Sequence, residues 1–347
     1  WHVLAVDGHD REAVDGAIRQ AQAETGRPSL IICRTHIGYG SPNKQDTAGV
    51  HGAPLGPDEV RLTKEALGWP ADAQFLIPDG ALAIRNGRIT AVGPSSEFRS
   101  GIEAAQTLDA AGQVVMPGFV DPHTHLVWAG QRADEFEMRV SGASYMEIMA
   151  AGGGIMSTVR QTRDASLEEL VTQSRPRLAR MLAHGTTTVE IKTGYGLNIQ
   201  DELKQLAAIR RLKEETPATL VSTFLGAHAV PAEYAGQEDA YVELVAQEML
   251  PTVAAEGDAP AFCDVFCEEG AFTLEQSRRV LEAAKSLGFG LKIHVDEFRA
   301  LGGTRLAVAL GAVSADHLVC TPPEEIDLLA QSETMAVALP GTPFGLG

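Results

Sequence analysis

The chain is poor in the features that would tie it to a disulfide scaffold, a membrane or nucleic acid. Its four cysteines (Cys33, Cys263, Cys267 and Cys320) are too few, in 347 residues, for a disulfide framework. Cys263 and Cys267 sit four apart in a strand-like run and read as small buried apolar residues rather than metal ligands. Basic residues are scarce. The 28 Lys and Arg face 46 Asp and Glu, a net charge of −18 that argues against nucleic acid or an anionic membrane surface as partner. No apolar run reaches the roughly 18 residues of a spanning helix, and no basic-then-apolar leader opens the chain. A reducing cytoplasm is therefore the expected location. Hydrophobic residues make up 44% and charged residues 21%, which is globular, and the length calls for a large domain plus a smaller one. The sequence starts at Trp1 and stops at Gly347 in a Gly/Pro-rich stretch with no closing element, so a fragment is expected.

The most informative stretch is "VMPGFVDPHTHL", residues 115–126. Val114, Val115 and Val120 are β-branched and the run halts at Asp121-Pro122, so Val114–Val120 reads as a buried strand ending in a loop. Residues i and i+2 of an extended chain point to the same side, so His123 and His125 can converge on one point past the strand's carboxyl end. That makes a plausible claw for zinc or iron. Two solvated loop histidines would look the same, so the pair needs partners.

Two unlike pieces follow from the pattern. Residues 1–76 read as an α/β fragment: a strand at Val3–Asp7, a helical repeat through Ala13, Ala17 and Ala21, a strand at Ser29–Arg34, and a helix opened by Pro57. Its motifs "PSLI", "IGYGSPNK", "HGAPLG" and "ALGWP" resemble transketolase, at the end of its thiamine-diphosphate-binding domain. The resemblance implies that His51 would lie near the cofactor diphosphate. The family's metal- and diphosphate-binding segment has no counterpart here, and His36 and residues 46–50 depart from the pattern. Thiamine diphosphate and transketolase activity are therefore not expected, and His51 reads as a solvated loop histidine.

From residue 77 the style changes. Two alternating runs flank Asn86-Gly87, a strong hairpin signal. Strand candidates then recur at Val114–Val120, Thr187–Ile191, Leu220–Leu225, Phe262–Cys267, Gly290–His294, Ala312–His317 and Thr334–Leu339. Helices such as Leu167–Ala183, Ile199–Glu215 and Leu274–Leu287 fall between them. Regular β-α alternation with His and carboxylates just after strands is the mark of a (β/α) barrel, whose active groups sit at the strands' carboxyl ends. Seven strands are counted where a closed barrel needs eight.

His294 ends one strand and His317 the next, so four histidines gather at the ends of three strands. Glu297 follows His294 by three residues. It could move a proton between water and a leaving nitrogen, and as a carboxylate at a helix start it would also suit the dipole. Asp296 alternates away and reads as structural. Lys192, two residues after Glu190, reads as a salt-bridge partner rather than a carbamylated metal bridge.

The motifs "MPGFVDPHTHLVWAGQRADEFEMR", "SGASYMEIMAAGGGI", "GTTTVEIKTGYGL", "TFLGAHAVP", "KIHVDEF" and "ADHL" resemble the imidazolonepropionase family of the amidohydrolase superfamily, across residues 77–347. The resemblance implies an α/β fold: a (β/α)8-type metal-dependent hydrolase barrel, incomplete at seven strands (114–347), preceded by part of a small β-sandwich (77–113) and the N-terminal α/β fragment (1–76). It implies one zinc or iron ion on His123, His125 and His294. It implies substrate contacts from Arg132, Tyr145, Tyr195 and His228, acid/base work by Glu297, and His317 orienting the attacking water. The reaction implied is hydrolysis of the ring amide of 4-imidazolone-5-propanoate to N-formimidoyl-L-glutamate in histidine degradation. By residue type alone, Arg132 is equally a surface partner of Asp134 or Glu135, and the tyrosines equally half-buried packing.

In that family a further metal ligand, an Asp, ends strand eight, and this sequence stops before such a strand. The expectation is a transketolase remnant fused near residues 70–79 to a truncated hydrolase, with a small-molecule substrate, weak or no turnover, and an assembly state for which a homodimer stays open. The alternatives are another amidohydrolase, a deaminase or cyclic amidase of different ring specificity, and a fusion product with no function.

Overall fold

The computed structural model describes residues 1–51, 54–71, 80–98, 104–110, 112–142, 147 and 153–346. Tyr145 and residues 72–79, most of the expected junction at 70–79, lie outside the described residues. The chain divides into two compact units, Trp1–Val115 and Met116–Gly347.

In the first unit, strands β1 (His2–Asp7) and β2 (Ser29–Arg34) pair in parallel, His2 opposite Ser29 and Asp7 opposite Arg34. The connection is the helix Arg11–Ala23, whose start is fixed by the Asp10 carboxylate accepting from the Glu12 and Ala13 N–H groups. A second helix, Pro57–Ala66, carries its proline in the first turn, where the missing N–H has no partner to lose. Strands β3 (Ala81–Arg85) and β4 (Arg88–Gly93) form an antiparallel hairpin. Its turn puts both Asn86 (φ +52°) and Gly87 (φ +72°) in the left-handed region, as a two-residue turn matching the strand twist requires.

The second unit is a seven-stranded, all-parallel sheet whose spatial order follows the sequence: β5 (Phe119–Asp121), β6 (Thr186–Lys192), β7 (Thr219–Ala227), β8 (Phe262–Cys267), β9 (Gly290–Val295), β10 (Ser314–His317) and β11 (Met335–Ala338). Helices fill the crossovers, including Leu167–Ala183, Ile199–Glu215, Leu274–Ser286, Gly303–Leu310 and Pro323–Ala330. Sequential parallel neighbours joined by helices are the winding of a (β/α) barrel. Among the described residues the sheet is a curled half-barrel, with β5 and β11 at its two ends. The core is continuous: Val189, Ile191, Phe224, Val265 and Ile293 on the strands pack with Leu170, Leu206, Ile209 and Val280 on the helices. Reciprocal capping boxes start two of those helices, Ser166 with Glu169 and Thr273 with Gln276.

One strand is shorter than the pattern suggests. Val114 and Val115 are exposed and irregular, and β5 begins only at Phe119. Its one neighbour, β6, starts at Thr186, and Pro117 has no N–H to donate. Gly118 lies so close to Thr187 that a Cβ there would collide with its side chain. β-branched residues without a partner strand do not make a strand.

Candidate metal centre

The segment between β5 and the following helix, residues 122–130, is irregular backbone held by side chains from the surrounding elements. Thr124 donates its hydroxyl to Glu190 O at 2.6 Å, and its carbonyl accepts from Lys192 N–H at 2.9 Å. Arg177 reaches up from its helix to donate to Leu126 O (3.0 Å) and Trp128 O (2.8 Å), its guanidinium stacked 3.5 Å over the Trp128 ring. Gln205 donates to Val127 O, Thr162 accepts from Ala129 N–H, and Lys192's neighbour in the layer, Lys292, donates to Pro122 O. So anchored, the loop presents His123 and His125 in one arrangement.

His294, near the end of β9, completes the constellation. Donor atoms of His123, His125 and His294 all lie within 4.8 Å of one another. His123 Nδ1 is 2.6 Å from an oxygen of Asp316, and His294 Nδ1 is 3.0 Å from Asp264. Each carboxylate accepts a hydrogen bond from the ring's Nδ1–H, which leaves Nε2 with the free lone pair. The Nε2 atoms of His294 and His125 stand 3.4 Å apart, close to the separation of two nitrogens each about 2.1 Å from a tetrahedral metal. His125 Nδ1 is shut off from solvent with no hydrogen-bond partner. Burial, followed by the neighbouring imidazoles, pushes the pKa of both His125 and His294 well down, so both stay neutral, the form that binds metal. The donor set fits one zinc or iron ion.

Around this triad stand the other expected residues. His317 ends β10 in a left-handed conformation (φ +82°), and both its ring nitrogens are buried without hydrogen bonds. Its Nδ1 is 3.5 Å from Glu297, within ion-pair reach though short of hydrogen-bond geometry. Burial, then the Glu268 carboxylate, pushes Glu297 up to about 7. Burial takes His317 and His228 down to about 4. His228 stacks on His125 with ring centroids 4.8 Å apart and bonds Gly194 O at 2.9 Å. Gly194 has φ +106°, and a Cβ there would sit 2.9 Å from His228 Nδ1, so glycine lets the imidazole close in. Tyr195 lies 5.7 Å from the His125 ring, its phenol pushed by burial to about 12. Arg132 is half-exposed and paired with Glu135 at 2.6 Å, the surface partnership its residue type allows.

Lys192 is a salt-bridge partner, 2.8 Å from Glu190. Asp296 bonds Thr304 and Thr321, a structural role. Cys263 and Cys267 are buried in the sheet. The residues that sequence reasoning passed over are Asp264 and Asp316. Each is a fully buried carboxylate on a strand, Asp264 between Cys263 and Val265 and Asp316 between Ala315 and His317, and a charge in that setting needs a buried partner. Glu202 was also missed: it gathers the N–H groups of Gly194, Gly196 and Leu197 and so shapes the loop that carries Tyr195. A cleft of about 310 Å³ opens beside His123, lined by Asp121 and Pro122 on one side and Val337 to Thr342 on the other. A larger groove of about 850 Å³ runs along residues 268–274 and 299–301, and touches the centre only through Glu268.

The family model described as transketolase, thiamine diphosphate binding domain, matches residues 1–100, and that of the amidohydrolase family matches residues 106–162. The imidazolonepropionase of Herpetosiphon aurantiacus is 59% identical over 277 residues, covering 78% of this chain and 65% of that protein. That of a Geobacillus species is 50% identical over 295 residues, covering 84% and 68%. The chain spans about two thirds of the length of these relatives. Two solved structures share its fold at low identity. One is the 5-methylcytosine deaminase of Klebsiella pneumoniae liganded with 5-fluorocytosine, with TM-score 0.50, 19% identity and coverage of 74% and 61%. The other is a triazine hydrolase variant, with TM-score 0.51, 16% identity and coverage of 76% and 61%.

Proposed function

The chain belongs to the imidazolonepropionase family, and on that premise we propose that its second unit binds one zinc or iron ion on His123, His125 and His294 and hydrolyses the ring amide of 4-imidazolone-5-propanoate to N-formimidoyl-L-glutamate. The observation that carries this reading is the convergence of three imidazoles, two of them backed by buried carboxylates. When bound, the metal ion lowers the pKa of water and polarises a carbonyl. The rest falls to the chain's own side chains. Glu297, poised near 7, takes the proton of the attacking water and returns it to the departing ring nitrogen. His317, 3.5 Å away and neutral, orients that water. His228 and Tyr195 wall the ring-binding side, and the family resemblance adds Tyr145 as a substrate contact. Arg132 exchanges Glu135 for the substrate's propanoate, a carboxylate that suits its planar fork. Free cysteines, two of them exposed, suit a reducing cytoplasm, and among the described residues no helix is long and apolar enough to cross a membrane.

The test is to load the purified chain with zinc or iron(II), count bound metal, and follow product by mass spectrometry. About one ion per chain and detectable turnover are expected, at a rate below that of a full-length relative because the β5–β11 cleft leaves the His123 flank open to water. Glu297→Gln should keep the metal and lose on the order of 10²-fold or more in rate. A fully loaded chain that yields no product overturns the reading.

A further inference from the structure

Beneath the imidazoles lies a buried layer of charge that the proposed reaction does not use. Glu190 and Lys192 come from β6, Asp264 from β8, Lys292 from β9 and Asp316 from β10, and their side chains are between 0% and 6% exposed. Lys192 is at its centre. Its Nζ is 2.8 Å from Glu190 Oε1, 2.7 Å from Asp264 Oδ2 and 3.6 Å from Asp316 Oδ2. Those last two carboxylates are the ones that hold His294 Nδ1 and His123 Nδ1. One ammonium thus faces the acceptors behind two of the three proposed metal ligands, one on β9 and the other in the loop after β5. Lys292 adds a second cation 3.5 Å from Asp316. Thr223 and Ser314 donate to Glu190 and Asp316 and satisfy remaining oxygens.

A buried carboxylate needs a fixed cationic or hydrogen-bonding partner to hold one orientation. Without the Lys192 ammonium at 2.7 Å and 3.6 Å, Asp264 and Asp316 lose a restraint they share, and the imidazoles that they hold by Nδ1 are freer to turn. We propose that Lys192 is a positioning residue for the metal: through Asp264 and Asp316 it fixes His294 and His123 as Nδ1–H tautomers with both Nε2 lone pairs turned into the centre. The layer holds three carboxylates against two ammonium groups, so its net charge is negative and complements a cation above it. The same contacts exclude a carbamylated Lys192, since a carbamate would stand against three carboxylates. The inference rests on the reading of the triad as a metal site.

The experiment uses the whole chain and zinc alone, with affinity measured by competition against a chelating dye and imidazole tautomers read from ¹⁵N NMR of the metal-free protein. Lys192→Met should weaken zinc binding about 10- to 100-fold and remove the paired Nδ1–H pattern of two histidines. The double variant Lys192→Met/Glu190→Gln removes one charge of each sign. It should recover the melting temperature lost by Lys192→Met without recovering zinc affinity. Lys213→Met, which breaks a surface pair with Asp258, should leave both readouts unchanged. Wild-type affinity in the folded double variant, or an unchanged tautomer pattern in either, overturns the proposal. If the wild type itself takes up no zinc, the triad reading fails, and the tautomer pattern still decides the role of Lys192.

Discussion

The two units obey the same local rules and differ in what they bury. The first has capped helices, a parallel strand pair in clean register and a hairpin turn with the required backbone. Yet among its described residues the one buried apolar side chain is Ala17, while Val3, Leu30, Ile32, Ile84 and Val92 are exposed. The second buries both alternating sets of its central strands, Val189, Ile191, Leu291 and Ile293 in the apolar core and Glu190, Lys192, Lys292 and His294 between them. There imidazoles and carboxylates form a connected buried cluster with altered pKa, whereas the first unit's described residues bury a single carboxylate, Glu59, held by Ser41 and Asn43. Hydrogen-bonded elements can form from local signals alone, whereas a reactive centre needs packing that over-determines each side chain.

The contrast should be largest in hydrogen exchange. Amides of β6 to β9 are expected to exchange on the order of 10³-fold more slowly than those of β1 and β2, because opening them exposes a shared core. Equal protection in the two units would break the comparison. Single substitutions should divide the same way. Ile191→Ala, fully buried on β6, should cost about 3 kcal/mol of unfolding free energy. Ile32→Ala, 50% exposed on β2, should stay within about 0.5 kcal/mol in a denaturant titration.

How far the sequence was legible follows the same division. Periodicity located Leu167–Ala183, Ile199–Glu215 and Phe262–Cys267 to the residue, because their apolar faces and caps agree with the packing they meet. It extended β5 back to Val114, where hydrophobicity had no partner strand to pair with. At the centre, His123, His125, His294 and His317 were visible as histidines at strand ends. Their support was not. Asp264, Asp316 and Lys192 reach one another and the histidines through contacts 30 to 193 residues apart in the chain, and no local pattern encodes such partners. Arg132 shows the opposite limit: its partner Glu135 is three residues away and visible at once, while a role toward substrate leaves no local trace.

A smaller, pH-dependent effect separates a packed site from an exposed surface. Glu297 is about 7 in the fold against an ordinary 4.5, so the folded state binds the proton more tightly. Its contribution to stability is whole below about pH 4.5 and is lost as pH rises through 7. In the metal-free chain, Glu297→Gln should therefore raise stability by about 2 kcal/mol at pH 8, with the gain shrinking toward nothing at pH 5. A gain that is the same at both pH values would mean the carboxylate is not desolvated. His228 and His317 run the other way. Their folded values near 4 lie below the ordinary 6.5, so stability is full above 6.5 and falls as the medium is acidified toward 4.

The smallest test sets one cap against another. Asp10 accepts from the N–H groups of Glu12 and Ala13 at the start of the helix Arg11–Ala23, and Thr273 does the same for Gln276 at the start of Leu274–Ser286. Replacing either by alanine removes an acceptor from N–H groups with no other partner, a loss of about 1 kcal/mol to the helix. In the second unit that helix packs on β8 and β9 through Val280, Leu281 and Ala284, so the loss passes into cooperative unfolding. Thr273→Ala should lower the main melting transition by a few degrees, on the order of ΔΔG divided by the unfolding entropy of a large domain. In the first unit the helix buries Ala17 alone among its residues. Asp10→Ala should leave that transition in place and appear only as faster exchange of the amides of residues 11–16. A shift of the main transition by Asp10→Ala equal to that of Thr273→Ala would show that the two units melt as one.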